Sequence, residues 1–360
     1  MKRIIALCAL LLTAAAAFAQ NGLKYTEASD LTLVGKLMPD TPNPYHRVDT
    51  VRFKRFTRGE NAQVRMSSGI SVAFRTDSKR IAVKTVYGSR VFSVNTGSYS
   101  DRGYDLYIKK DGQWTWAGVG VASQENPEQS ITLVQRMDGS MHECLLYLPL
   151  FSEEYSVQVG TDEGSVIEPL DNPFRHRIAI FGSSFTHGSS SARPGMTYPA
   201  QLTRMTGLQF LSLGCAGNSR LQSYFADVLA AADADAFVFD AFSNPSVAEI
   251  RARLFPFIEK IQAAHPGKPL IFQKTIYREN RNFDTAVAKK EQARIELVDS
   301  LMHVAVKKYK DVYYIDATDA TDPYHDSSID GVHPSNHGYT LWAESVRKPL
   351  RRILRKYGIK

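Results

Sequence analysis

Cysteine is scarce in this chain: Cys8, Cys144 and Cys215 are the three in 360 residues. None forms a C-x-x-C pair, which removes zinc-ribbon and thioredoxin-type chemistry. Cys144 and Cys215 fall in halves of different character, each on or beside a strand. They read as two buried thiols, since a disulfide needs its Cα atoms within about 7 Å. No H-E-x-x-H and no G-x-x-x-x-G-K-[ST] occurs, so zincin and phosphate-loop chemistry are excluded. The G-x-S-x-G elbow of typical α/β-hydrolases is also missing, because Ser184 is followed by Phe185 and Thr186. Outside His333 and His337, the histidines lack metal-ligand spacing. That pair reads as one functional histidine and one residue at a helix start, so no metal or cofactor is expected. After residue 19 no run is apolar enough to cross a bilayer. The formal charge of +7 is spread without a basic run, which gives no sign of a nucleic-acid partner.

The first residues carry a signal of their own. Met1-Lys2-Arg3 precedes an apolar run from Ile4 to Phe18, ending in Ala17-Phe18-Ala19. A cationic start, a short apolar core and an A-x-A end describe a secretory signal peptide over residues 1–19. Its removal takes away Lys2, Arg3 and Cys8, leaving a charge of +5 and two cysteines. A periplasmic or secreted protein is expected.

Two halves with different rhythms follow. Residues 20–165 alternate and are rich in turns: Ile81, Val83 and Thr85 share one face, as do Tyr104, Leu106 and Ile108. Asp111-Gly112 is a hairpin signal before Gln113–Trp116. Cys144, Leu146 and Leu148 alternate again. Many short strands without a long helix predict an antiparallel β-sandwich, jelly-roll-like in type. Trp114 and Trp116 share a strand face and read as core or as a platform for a sugar ring.

From residue 174 to 360, apolar strands alternate with amphipathic helices. Strands are predicted at Arg177–Gly182, Gln209–Leu213, Ala236–Phe242, Pro269–Thr275 and Val312–Asp316. Helices are predicted at Tyr198–Met205, Gln222–Ala231, Val247–Ala264, Thr285–Lys308 and His337–Tyr357. This pattern predicts an α/β fold with a parallel sheet covered on both faces. Segment Gly160–Pro173 reads as a short junction.

In such a sheet the loops at the C-terminal strand ends carry the chemistry. Asp330-Gly331-Val332-His333-Pro334 places a carboxylate three residues before an imidazole on a turn. A carboxylate there fixes the ring tautomer and supports its protonated form, as a general base requires. Gly182-Ser183-Ser184-Phe185-Thr186-His187-Gly188 ends an apolar run and supplies a hydroxyl nucleophile, Ser184. Gly217 follows the second strand and Asn244 the third. Taken singly, Ser184 reads equally as a helix N-cap, Gly217 as a turn glycine and Asn244 as an Asx-turn residue before Pro245.

Together these blocks resemble the SGNH (GDSL-type) hydrolases, which read Gly-Asp-Ser-x-x-x-Gly, then Gly, Asn and Asp-x-x-His. The resemblance runs from about Arg175 to the C-terminus and implies a flavodoxin-like sheet. It implies that Ser184 is the nucleophile, His333 the base and Asp330 its orienting acid. The N–H groups of Ser184 and Gly217 and the Asn244 amide would form an oxyanion hole. Ser183 replaces the family's aspartate, and Pro245 stands where Asp is usual. Gly103-Tyr104-Asp105-Leu106-Tyr107 is similar to the GxDLY motif of a domain that precedes some GDSL-like enzymes. The expected function is a serine esterase acting on short O-acyl, chiefly O-acetyl, groups of carbohydrate. The alternatives are a lipase or lysophospholipase, and a carbohydrate-binding protein whose hydrolase half is inactive. Acyl transfer between sugars would use the same residues.

Overall fold

The structure is a computed structural model that describes residues 22–91, 93–317 and 320–360. The expected signal segment lies outside the described residues.

Among the described residues the N-terminal half holds ten strands: β1 (Leu23–Glu27), β2 (Thr32–Val34), β3 (Ser71–Thr76), β4 (Arg80–Arg90), β5 (Tyr104–Lys110), β6 (Gln113–Gly120), β7 (Ile131–Gln135), β8 (His142–Tyr147), β9 (Ser152–Asp162) and β10 (Ile167–Pro169). They form two antiparallel sheets, ordered β1-β9-β4-β7 and β10-β3-β8-β5-β6, with β2 added on β3. Alternation explains the sandwich. Val72, Phe74, Leu106, Cys144 and Leu146 of one sheet meet Ile81, Val83, Val157 and Val159 of the other in one buried cluster. Asp111 and Gly112 both take positive φ, 51° and 77°, the backbone of a two-residue hairpin turn between β5 and β6. Two short helices, α1 (Arg58–Val64) and α2 (Ser98–Asp101), lie in the connections.

Within the segment expected as a junction, β9 runs to Asp162 and β10 pairs with β3. The sandwich therefore gains a strand beyond residue 165, because Ile167–Pro169 covers the edge of β3.

The C-terminal half alternates as expected: β11 (Arg175–Gly182), α3 (Ser184–His187), α4 (Tyr198–Thr206), β12 (Leu208–Gly214), α5 (Ser223–Ala230), β13 (Ala236–Asp240), α6 (Val247–Ala264), β14 (Leu270–Gln273), α7 (Thr285–Lys308), β15 (Val312–Ile315) and α8 (Asn336–Arg355). The sheet is parallel in the order β12-β11-β13-β14-β15, the doubly wound flavodoxin-like order. Helix α8 shows why the helices dock. Tyr339, Trp342, Ala343, Val346, Leu350 and Ile353 recur at helical spacing and are buried against Ile178, Ile180 and Val238.

The two halves are joined by buried polar contacts. Arg47 has no solvent exposure; it donates to the carbonyls of Met66 and Gln63 on its own side, and to Gly214 (3.0 Å) across the boundary. Burial lowers its pKa to about 10, so it remains a cation at neutral pH. Asp105, the acidic residue of Gly103–Tyr107, accepts bonds from Arg193 Nη1 (2.7 Å), the Gly195 N–H (2.9 Å) and Trp116 Nε1 (3.0 Å). Leu106 beside it is sandwich core. This stretch thus pairs a core leucine with an aspartate that holds the partner half. The Arg193 guanidinium also covers the Trp116 ring at 5.1 Å, and Trp114 packs against Phe174. Neither tryptophan is a core residue of the sandwich cluster. Cys144 and Cys215 are buried free thiols.

Candidate active site

The C-terminal end of β11 delivers the first site residue. Gly182 must be glycine, because a Cβ there would stand 2.0 Å from Thr186 Oγ1 and 2.9 Å from Asp240 Cβ. That closeness lets the chain turn sharply into α3. The helix cap is Ser183, whose Oγ accepts the Phe185 N–H at 3.2 Å, so Ser184 is the first helical residue. Its own N–H is left without an intrahelical acceptor, as at any helix start.

Ser183 also explains the missing aspartate. Asp240, at the end of β13, accepts the Ser183 hydroxyl (2.7 Å), the Ser183 N–H (3.1 Å) and the Thr186 hydroxyl (3.1 Å) through Oδ2. Burial outweighs these donors and pushes its pKa up to about 6. A carboxylate still braces the turn under Ser184, but it comes from the neighbouring strand. An aspartate ending an apolar strand is the sequence signal that could have found it.

The second half of the site lies on the loop before α8. His333 Nε2 is 3.0 Å from Ser184 Oγ, and His333 Nδ1 is 2.8 Å from Asp330 Oδ2. Asp330 Oδ1 accepts the N–H groups of Val332 (3.0 Å) and His333 (2.7 Å). Partial burial pushes the Asp330 pKa up, but these bonds overcome it and bring the carboxyl down to about 2. Gly331 takes φ 77°, and a Cβ there would meet Asn280 at 2.7 Å, so the tight turn of Asp330–His333 needs glycine.

That turn is held from outside by Glu279. Its carboxylate accepts the N–H and hydroxyl of Ser327 (2.8 and 2.7 Å), the Ser328 N–H (2.9 Å) and the Thr321 hydroxyl (2.7 Å). Burial would raise its pKa, yet these donors lower it to about 2. Ser328 Oγ in turn accepts the Gly331 N–H at 3.0 Å.

Gly217 and Asn244 emerge on either side of Ser184, from the loops after β12 and β13, the two strands that flank β11. Among the described residues, no backbone acceptor bonds to the N–H of Ser184 or Gly217. The buried Asn244 Oδ1 has no partner either. The Gly217 loop is fastened by the N-terminal half, since Gln63 Nε2 donates to the Ala216 carbonyl at 2.9 Å. The residue before Asn244 is fastened by two guanidinium groups: Arg278 and Arg294 donate to the Ser243 carbonyl at 2.8 and 3.0 Å.

His187, three residues after Ser184, faces the sandwich half. It is fully buried, stacks on Phe151 at 4.2 Å, and has Nε2 2.7 Å from the Leu150 carbonyl. Burial lowers its pKa well below the usual histidine value. It docks α3 onto the sandwich. A hydroxyl, an imidazole and a carboxylate in line, beside unengaged N–H donors, can transfer an acyl group through a covalent ester.

Comparison with known proteins finds matches to both halves of the chain. Residues 175–351 match the GDSL-like Lipase/Acylhydrolase family, and residues 23–167 match the GxDLY family, the N-terminus of Esterase_SGNH_hydro-type proteins. A protein of Bacteroides ovatus ATCC 8483, provisionally assigned as a GDSL-like lipase, is 34% identical, with a TM-score of 0.89 over 92% of this chain and 98% of its own. The salicylyl-acyltransferase SsfX3 of a tetracycline biosynthetic pathway is 20% identical, with a TM-score of 0.72 over 92% and 98%. A family two carbohydrate esterase from Cellvibrio japonicus is 12% identical, with a TM-score of 0.54 over the same shares. At those identities the last two share the fold alone. No curated protein matches the chain. Matched in both units and 34% identical to a solved relative over almost its whole length, the chain belongs to the GDSL-like lipase/acylhydrolase family of SGNH-type esterases and is a carboxylic ester hydrolase.

Proposed function

We propose that this protein is an exported serine esterase that removes short acyl groups, chiefly acetyl, from carbohydrate. The observation that carries the mechanism is the unbroken line from Ser184 Oγ through His333 to Asp330, with contacts of 3.0 and 2.8 Å. Ser184 Oγ attacks the ester carbonyl carbon while His333 Nε2 takes its proton. The carbonyl oxygen becomes an anion held by the N–H groups of Ser184 and Gly217 and by the Asn244 amide. Collapse breaks the bond to the sugar oxygen, which leaves with the proton from His333. Water, deprotonated by His333, then releases the acid and restores Ser184. Asp330 holds Nδ1 protonated throughout.

The carbohydrate reading rests on two supports. The expected signal peptide would send the enzyme to where glycans are met, and family two carbohydrate esterases share its two-unit fold. A polysaccharide-binding protein with a dead hydrolase half would have no need of the full triad. The deciding experiment is a chain-length series of para-nitrophenyl esters together with acetate release from acetylated plant polysaccharide. Acetyl esters should be turned over best. Each further CH₂ could contribute about 0.8 kcal/mol only if an apolar groove accepted it. Octanoyl or longer esters as the best substrates would replace this reading with a lipase, and no turnover of any ester would end it.

Asn244→Ala should lower kcat by roughly 10²–10³ with KM little changed, as loss of an oxyanion donor does. Steady-state kinetics on para-nitrophenyl acetate check this. A change mainly in KM would make Asn244 a substrate-binding residue instead.

A further inference from the structure

One side chain of the N-terminal half reaches the catalytic line, and the proposed mechanism leaves it without a role. Asn95 lies on the connection between β4 and α2. Its Nδ2 is 2.9 Å from Asp330 Oδ2 and 3.0 Å from His333 Nδ1. The carboxylate oxygen only accepts and would repel the amide oxygen, while on the other side Oδ1 accepts the Ser93 hydroxyl at 2.5 Å. The nitrogen is therefore the atom that faces the pair.

The ring's chemistry decides which neighbour Asn95 serves. For Nε2 to accept the Ser184 proton, Nδ1 must carry a hydrogen aimed at Asp330. Nδ1 then has no lone pair to offer, and Asn95 Nδ2 donates to Asp330 Oδ2. Asp330 so receives four donors: two backbone N–H groups on Oδ1, and His333 Nδ1 with Asn95 Nδ2 on Oδ2. Without Asn95, Oδ2 is held by the histidine alone, while Oδ1 keeps its two backbone donors.

We infer that Asn95 is a positioning residue for the catalytic pair, so that the sandwich half supplies part of the active centre. The inference rests on Asp330 and His333 acting as proposed above. It gives the N-terminal half a task at the reacting atoms, beyond its buried contacts through Arg47 and Asp105. The donor to Asp330 also agrees with that carboxyl's low pKa, to which the Asn95 bond contributes. The other groups facing His333 are Ser184 and the edge of the Phe185 ring at 5.7 Å from α3. Asp330 is the ring's ion-pair partner among the described residues.

The test is the pH profile of kcat/KM on para-nitrophenyl acetate for the full chain, with Asn95→Ala, Asn95→Asp and Ser184→Ala side by side. Asn95→Ala should lower kcat roughly tenfold to hundredfold, the range a hydrogen bond to a charged group supplies, with KM unchanged. Its acid limb should move to higher pH, because an Asp330 relieved of one donor holds a proton on His333 more strongly. Asn95→Asp keeps the side chain's shape but sets a second carboxyl beside the ring. That carboxyl lies against Asp330 Oδ2, and two carboxyls so close cannot both ionise freely, so kcat should fall as pH rises and the second one loses its proton. Unchanged kcat and acid limb in both variants, or a change confined to KM or to Tm, would overturn the inference while leaving the esterase reading intact. Full activity of Ser184→Ala would instead remove the reading on which it rests.

Discussion

Ser184→Ala is expected to lower kcat by several orders of magnitude while the protein stays folded. The Ser184 hydroxyl makes one hydrogen bond, to His333, so its loss removes the reacting atom and little of the packing. Loss of a nucleophile in a working triad costs on the order of 10⁶ in kcat, with a residue of catalysis from the oxyanion donors. Ser183 cannot take over. Its Oγ is fully buried, donates to Asp240 and accepts the Phe185 N–H, which leaves no free path to a substrate carbonyl. A fluorophosphonate should therefore label Ser184 alone, and mass spectrometry of the labelled peptide locates the adduct. An adduct on Ser183, or turnover within tenfold of wild type in Ser184→Ala, would defeat the assignment. A circular dichroism melt of the variant close to wild type separates loss of chemistry from loss of fold.

The parts of this site that a sequence exposes are those whose geometry is local. Asp330 and His333 meet through three residues and a glycine with positive φ, and Ser184 follows an apolar strand through a glycine with no room for a Cβ. Both arrangements are written in consecutive residues. The alternation of strands and helices was legible for the same reason: periods of 2 and 3.6 are local patterns. Helices α6 and α7 begin just after capping side chains, Ser246 with Glu249 and Asp284.

What escaped detection is contributed across long separations. Asn95 meets Asp330 from 235 residues away, and Glu279 reaches the loop before Gly331 from a segment after β14. No composition rule marks either, since each is an ordinary polar residue in a loop. Trp116 shows that aromatic alternation alone does not report burial: its ring is half exposed, with the Arg193 guanidinium of the other half over it. Within Gly160–Pro173 the loop-forming composition hid the short edge pairing of β10 with β3.

His333→Ala and Asp330→Asn test the catalytic pair from two sides. His333→Ala should fall to within about tenfold of Ser184→Ala, because nucleophile and base act as one unit and their losses do not add. Asp330→Asn is the more telling change. Oδ1 accepts two backbone N–H groups, so an asparagine there must place its amide oxygen at that position. Its NH₂ would then face His333 Nδ1 and force the ring into the tautomer with hydrogen on Nε2. That tautomer cannot take the Ser184 proton, and kcat should drop by up to about 10⁴. The wild-type profile of kcat/KM should meanwhile show an acid limb of unit slope. Asp330, with its carboxyl at about 2, stays ionised through that range and adds no second proton. Asp240, pushed up to about 6 by burial, touches Ser183 and Thr186 but neither Ser184 nor His333. An acid limb of slope two would mean that the proton on Asp240 also controls turnover. Near-normal activity in Asp330→Asn would mean that the ring is oriented by something other than this carboxylate.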